Sequence, residues 1–162
     1  MKLIVLLLAL LPLGVQAQAD IMDNPKEVEC LAKNIYFEAR NQSHTGKIAV
    51  AQVVLNRMID ERFPESICGV IYQARLTSSG QPIRHKCHFS WFCDGLSDRP
   101  RDRAAWLDAI DVARDSILIW EGGFDITDGS THYHTTKVNP RWNRELTYIN
   151  TIDDHMFWRW EG

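Results

Sequence analysis

A helix that is apolar around nearly its whole circumference can stand only at the centre of a soluble domain. From about Lys47 to Ile59 this chain places Ile48, Val50, Ala51, Val53, Val54, Leu55 and Met58 around such a helix, so other elements must pack on all sides of it. Two more helices are signalled. Asn24 can cap the first, Pro25 suits its first helical position, and Glu27 stands three residues after the cap as in a capping box. Val28, Leu31, Ala32, Ile35 and Ala39 then share one face, and Asn41 to Gly46 reads as punctuation before the central helix. The third follows Pro100, with Trp106, Ala109, Ile110, Ala113, Ile117 and Trp120 at helical spacing until Gly122-Gly123 stops it.

Beyond that point the period changes. Ser130 to Thr136 and Tyr148 to Trp160 carry the alternating, β-branched and aromatic residues of strands, with Asn139-Pro140-Arg141 and a polar run to Arg144 between them. Ile67 to Tyr72 is a short helical or extended piece after a turn at Phe63-Pro64-Glu65-Ser66. Within Leu76 to Asp98, Ser78-Ser79-Gly80 and Gln81-Pro82 mark a loop. Helices first and a small antiparallel sheet late predict an α+β domain. The chain has 162 residues and no linker, repeat or low-complexity tract after Asp20, so residues 20–162 are expected to form one domain and to act as a monomer.

The first residues are of another kind. Lys2, the apolar run Leu3 to Leu11, Pro12, Gly14 and the triplet Ala17-Gln18-Ala19 have the layout of a secretory signal peptide, residues 1–19, with cleavage expected before Asp20 and Gln18 as the alternative first residue. The run is short for a spanning helix, so no stable membrane anchor is expected and the domain should work in the periplasm or outside the cell. Losing Lys2 takes Lys+Arg from 18 to 17 against 21 Asp+Glu, a net charge of −4. No Lys/Arg cluster stands out, and nucleic acid is set aside as a partner. Cys30, Cys68, Cys87 and Cys93 all survive cleavage. An even count in an exported chain reads as two disulfides with three possible pairings, of which Cys30–Cys68 with Cys87–Cys93 is the working choice. Their spacing lacks the closely paired cysteines of zinc knuckles.

Glu38 lies roughly 80 degrees from the centre of the first helix's apolar stripe, at its border. Tyr36 and Phe37 beside it supply the desolvation that a general acid at neutral pH needs. The competing reading is a surface ion pair with Arg40. Phe89, Ser90 and Trp91, inside Cys87 to Gly95, offer aromatic faces and a hydroxyl suited to sugar rings, although aromatics are more commonly core. His132 and His134 would share one strand face, which with His155 makes a conceivable metal set and a metal-dependent peptidoglycan amidase an alternative function, but neither a metal nor a cofactor is expected. Asp125, Asp128, Asp153 and Asp154 sit in turn-like or strand-edge settings and give no clear carboxylate pair. Ser90 lacks the glycine-flanked elbow of a hydrolase nucleophile.

Taken in order, Cys30-Leu31-Ala32, Ile35 to Arg40, Ala49 to Arg57, Cys68 to Gln73, Cys87 to Trp91, Thr131 to His134, Pro140, Trp142 and His155-Met156-Phe157 resemble the SleB-type cell wall hydrolases, the family of spore-cortex-lytic enzymes. The resemblance implies a lysozyme-like domain similar to resuscitation-promoting factors, with a groove for peptidoglycan glycan strands. It also implies that Glu38 is the acid cleaving between N-acetylmuramic acid and N-acetylglucosamine by lytic transglycosylation, with a muramidase or glucosaminidase outcome as the alternative. Phe89, Ser90, Trp91, His132, Tyr133 and His155 would line the substrate site. His88 stands where many relatives carry Gln, and Asn41-Gln42 replaces a frequent Gly-Glu.

Overall fold

A computed structural model describes residues 21–162. The expected signal peptide lies outside the described residues. Helix α1 spans Pro25–Ala39, α2 His44–Ile59, α3 Ile67–Ile71 and α4 Arg103–Glu121. None of the described helices is long and apolar enough to cross a membrane.

The central position of α2 follows from its residues. Val50, Ala51, Val53, Val54 and Leu55 are fully buried, and α1, α3 and α4 pack around it through Leu31, Ile35, Ile67, Ile71, Val112 and Ile117. The helix starts one turn earlier than expected, because Ser43 caps it by accepting from Gly46 N at 3.1 Å. Asp153 then fixes Ser43, accepting from its amide at 2.8 Å and its hydroxyl at 2.6 Å. Gly46 is what allows that approach, since a Cβ there would stand 2.2 Å from the Asp153 carboxylate. The segment that reads as punctuation is thus a capped helical turn.

Asn24 caps α1 as expected, through Lys26 N at 3.1 Å. The capping box does not form. Glu27 instead accepts from Cys68 N at 3.0 Å, tying the start of α1 to the start of α3 beside the Cys30–Cys68 disulfide. The second disulfide joins Cys87 to Cys93 around a 3-10 turn at Ser90–Cys93. The two bridges enclose loops of very different length, 38 and 6 residues of separation. Chain entropy assigns about 4 kcal/mol to the first and about 2 to the second. Urea unfolding should therefore show Cys30→Ala/Cys68→Ala losing roughly twice the stability lost by Cys87→Ala/Cys93→Ala; equal losses would contradict the entropic account.

Between α3 and α4 the expected loop holds an antiparallel hairpin, β1 (Ala74–Leu76) and β2 (Pro82–Cys87). Its strands are polar and exposed over most of their length, so no alternation announced them. The late sheet has the order β3-β5-β4, with β3 His132–Thr135, β4 Thr147–Ile152 and β5 His155–Arg159. The stretch Tyr148 to Trp160 holds two strands, folded back at Asp153-Asp154, where Asp153 takes φ +50°. Helices first and a small antiparallel sheet last is the expected architecture, with the middle hairpin added.

The sheet reaches the helices through small residues. Ala39, Ala49, Val50 and Val53 pack on Phe157 of β5, with Tyr133 of β3 alongside. Two buried amides of α2 then hold the connection into β3. Gln52 donates to Phe124 O at 2.7 Å and accepts from Ile126 N at 2.9 Å, while Asn56 donates to Asp125 at 2.9 Å and Ser130 O at 3.1 Å. That connection sets where β3 presents its side chains.

Candidate active site

Glu38 lies on the last turn of α1, partly buried. The tyrosine presented by β3 reaches it: Tyr133 donates its hydroxyl to Glu38 Oε2 at 3.0 Å. Arg57, from the last turn of α2, is buried and donates through Nε to Thr131 O at 2.6 Å. Its guanidinium lies 5.1 Å from the Phe63 ring centre and 5.3 Å from that of Phe89. Together with His88, Phe89 and Ser90 these residues line an open cavity of about 140 Å³.

Burial raises the Glu38 carboxyl above its ordinary range, against the Tyr133 hydrogen bond and the charge of Arg57, which both lower it. Burial also raises the Tyr133 phenol, and the neighbouring Glu38 charge adds to the effect, so Tyr133 remains a donor at neutral pH. Arg57 is lowered to about 10 by burial and stays cationic. A cavity holding one carboxyl of raised proton affinity, one fixed donor and one buried cation can deliver a proton and then stabilise the carboxylate it leaves.

Among the described residues, Glu38 is the only carboxylate lining this cavity. Asp153 holds Ser43, the cap of α2, and Asp154 accepts from Gln42. Asp125 accepts from the amides of Thr127 and Gly129, and Asp128 pairs with Arg159. Arg40 makes no surface pair with Glu38; it lies 5.2 Å over the Tyr36 ring. The fold also builds a basic cluster the sequence had not suggested, by bringing Arg40 beside Arg99 and Arg101.

Of the substrate-facing candidates, Phe89, Ser90 and Tyr133 meet at Glu38, and His88 joins them. Trp91 turns inward, 6 % exposed, donating to buried Asn34 at 3.0 Å and stacking on Phe37 at 4.8 Å. His132 and His134 do share a face, the one opposite Tyr133, where they pack on Trp142 at 5.3 and 5.5 Å. His155 lies on the inner face against Tyr133, 5.2 Å between ring centres. The three histidines therefore do not converge, and no group of three His, Cys, Asp or Glu among the described residues is placed to hold a metal. In the sequence Arg57 is marked only as an arginine near the end of a largely apolar helix.

His132 is lowered to about 4, first by burial and then by Arg57, His88 and Arg62, with Asp60 opposing. A histidine whose folded value lies below its ordinary 6.5 contributes stability above that value and loses it as pH falls toward the folded one. The unfolding midpoint should therefore drop between pH 6.5 and 4. His132→Phe should flatten part of that drop in a thermal scan; an unchanged slope would contradict the assignment.

Comparison with known proteins identifies the family and the fold. The family described as Cell Wall Hydrolase matches residues 41–158, a span beginning three residues after Glu38. The spore cortex-lytic enzyme of Oceanobacillus iheyensis is 27% identical over 132 residues, covering 81% of this chain and 41% of that protein. Its counterpart from Bacillus subtilis strain 168 is 27% identical over 133 residues, covering 81% and 37%. The chain thus spans less than half the length of these relatives. The fold resembles the catalytic domain of the Bacillus cereus SleB protein, with a TM-score of 0.63 at 24% identity over 84% of this chain and 91% of that one. It also resembles the catalytic domain of the germination-specific lytic transglycosylase SleB from Bacillus anthracis, with a TM-score of 0.59 at 23% identity over 92% and 100%. With the family match covering most of its length and the lysozyme-like fold alongside, the chain belongs to the SleB-type cell wall hydrolases.

Proposed function

We propose that this protein is an exported lytic transglycosylase that cleaves peptidoglycan between N-acetylmuramic acid and N-acetylglucosamine, with Glu38 as its catalytic residue. The observation that carries the reading is a lone carboxyl, raised by burial and hydrogen-bonded to Tyr133, in a cavity with no second acid among the described residues. Tyr133 occupies Oε2, which leaves Oε1 to carry the proton. Glu38 gives that proton to the glycosidic oxygen as the C1–O bond breaks. The carboxylate, now facing Arg57, takes the proton of the muramyl 6-hydroxyl as O6 bonds to C1 and closes a 1,6-anhydro ring. The nucleophile belongs to the substrate, so the second carboxylate of a two-acid glycosidase is not required. In this reading Ser90, Phe89 and His88, which line the same cavity, contact the sugar.

Two disulfides and the leader-like first residues support action in the periplasm or outside the cell. The test is digestion of purified sacculi followed by borohydride treatment and mass spectrometry. Muramyl ends that resist reduction are expected. Reducible muramyl ends would replace transglycosylation by a muramidase reaction, and reducible glucosamine ends would move the cleaved bond.

A further inference from the structure

Across α1 from the Glu38 cavity lies a second one of about 430 Å³, lined by Arg40, Arg99 and Arg101 with Tyr36, Phe37 and Asp102. Phe37 and Glu38 are consecutive, so the two cavities flank the same helical turn. They are also bridged by packing, because Phe37 stacks on Trp91, the neighbour of Ser90. The arginine segment is held rather than loose: the buried Tyr36 hydroxyl accepts from the amides of Arg101 and Asp102, both at 3.1 Å. Asp102 uses its carboxylate to cap α4 through Ala105 N at 3.1 Å. Among the ion pairs of the described residues none involves Arg40, Arg99 or Arg101. Three arginines thus line one cavity with a single acidic residue among them, in a chain that is acidic overall.

Resting on the glycosidic reading of the Glu38 cavity, we infer that this second cavity binds the free carboxylates of the stem peptide carried by the muramyl residue. The chemistry matches. A muramyl unit held for cleavage projects its lactyl peptide away from the glycan axis, and that peptide carries several carboxylates on aliphatic stems. Guanidinium groups bind carboxylates with paired hydrogen bonds, and the Tyr36 and Phe37 rings suit the aliphatic part. The enzyme then prefers glycan that still bears peptides over glycan from which they have been removed.

The test uses soluble strands released by an endopeptidase, with half the sample stripped of peptides by an amidase. The wild-type protein should cleave peptide-bearing strands roughly fivefold faster, the scale expected for a few solvent-exposed charge contacts. In Arg99→Gln/Arg101→Gln the ratio of the two rates should fall to about one, and Arg99→Glu/Arg101→Glu should bring it below one. Wild-type protein supplies an independent reading: raising salt from about 0.1 M to about 1 M should also bring the ratio toward one, because screening weakens only the charged contacts. A wild-type ratio near one, or a ratio untouched by the substitutions and by salt, overturns the peptide site while leaving glycan cleavage intact. Denuded strands that carry teichoic-acid phosphate and recover the fast rate would overturn the carboxylate assignment. Failure of the wild-type protein to cut either strand overturns the glycosidic reading and this inference with it.

Discussion

Replacing Glu38 by Gln is expected to reduce glycan release roughly a thousandfold, the contribution of a group that acts as acid and then as base. The amide keeps the shape and still accepts from Tyr133, so the loss reports proton transfer rather than packing. Stability should move the other way. A carboxyl whose folded value is raised is fully tolerated below its ordinary 4.5 and becomes costly as pH rises through the folded value. Glu38→Gln should therefore unfold at a higher temperature than the wild type near neutral pH, with the gain vanishing toward pH 4.5 and below. Full activity in this variant would remove Glu38 from the reaction. A loss of stability at neutral pH would contradict the desolvation that sets its proton affinity.

Arg57→Met is expected to act on both stability and the pH profile. Its side chain fills a similar volume but leaves Thr131 O without its buried donor, which should lower stability by about 2 kcal/mol. The Arg57 charge also lowers the Glu38 carboxyl, so removing it should raise that group further. An acid catalyst works while it is protonated, so the alkaline limb of kcat/KM should move to higher pH, alongside a fall in rate as the carboxylate loses its stabilising cation. Arg57→Lys separates the two effects. It keeps a positive charge, and with it most of the position of the limb, while losing the Nε geometry toward Thr131. Identical profiles in the Met and Lys variants would mean that charge is not what Arg57 contributes.

The central helix was legible because its apolar residues leave no alternative burial, and the caps at Asn24 and the stop at Gly122 are local signals. What was hidden depends on distant partners. Ser43 and Gly46 begin α2 only because Asp153 arrives from the β4–β5 turn, and Glu27 leaves its local cap for Cys68 on α3. The hairpin β1–β2 is not legible in the sequence because exposed polar strands lack a period. At the site, alternation along β3 correctly put His132 and His134 together and Tyr133 opposite. Which face meets Glu38 is decided by Phe157 packing on Ala39 and Ala49, and no local pattern carries that. Arg57 has the same lesson, since its role depends on the fold bringing Phe63, Phe89 and Thr131 around it.

The claim that the substrate supplies its own nucleophile is tested most directly by digesting glycan strands in water enriched in heavy oxygen and weighing the new muramyl ends as they form. With Glu38 working alone, O6 closes on C1 and the new ends carry no label. Heavy oxygen at C1 of those ends would show that water attacks there, and would contradict the single-carboxylate account.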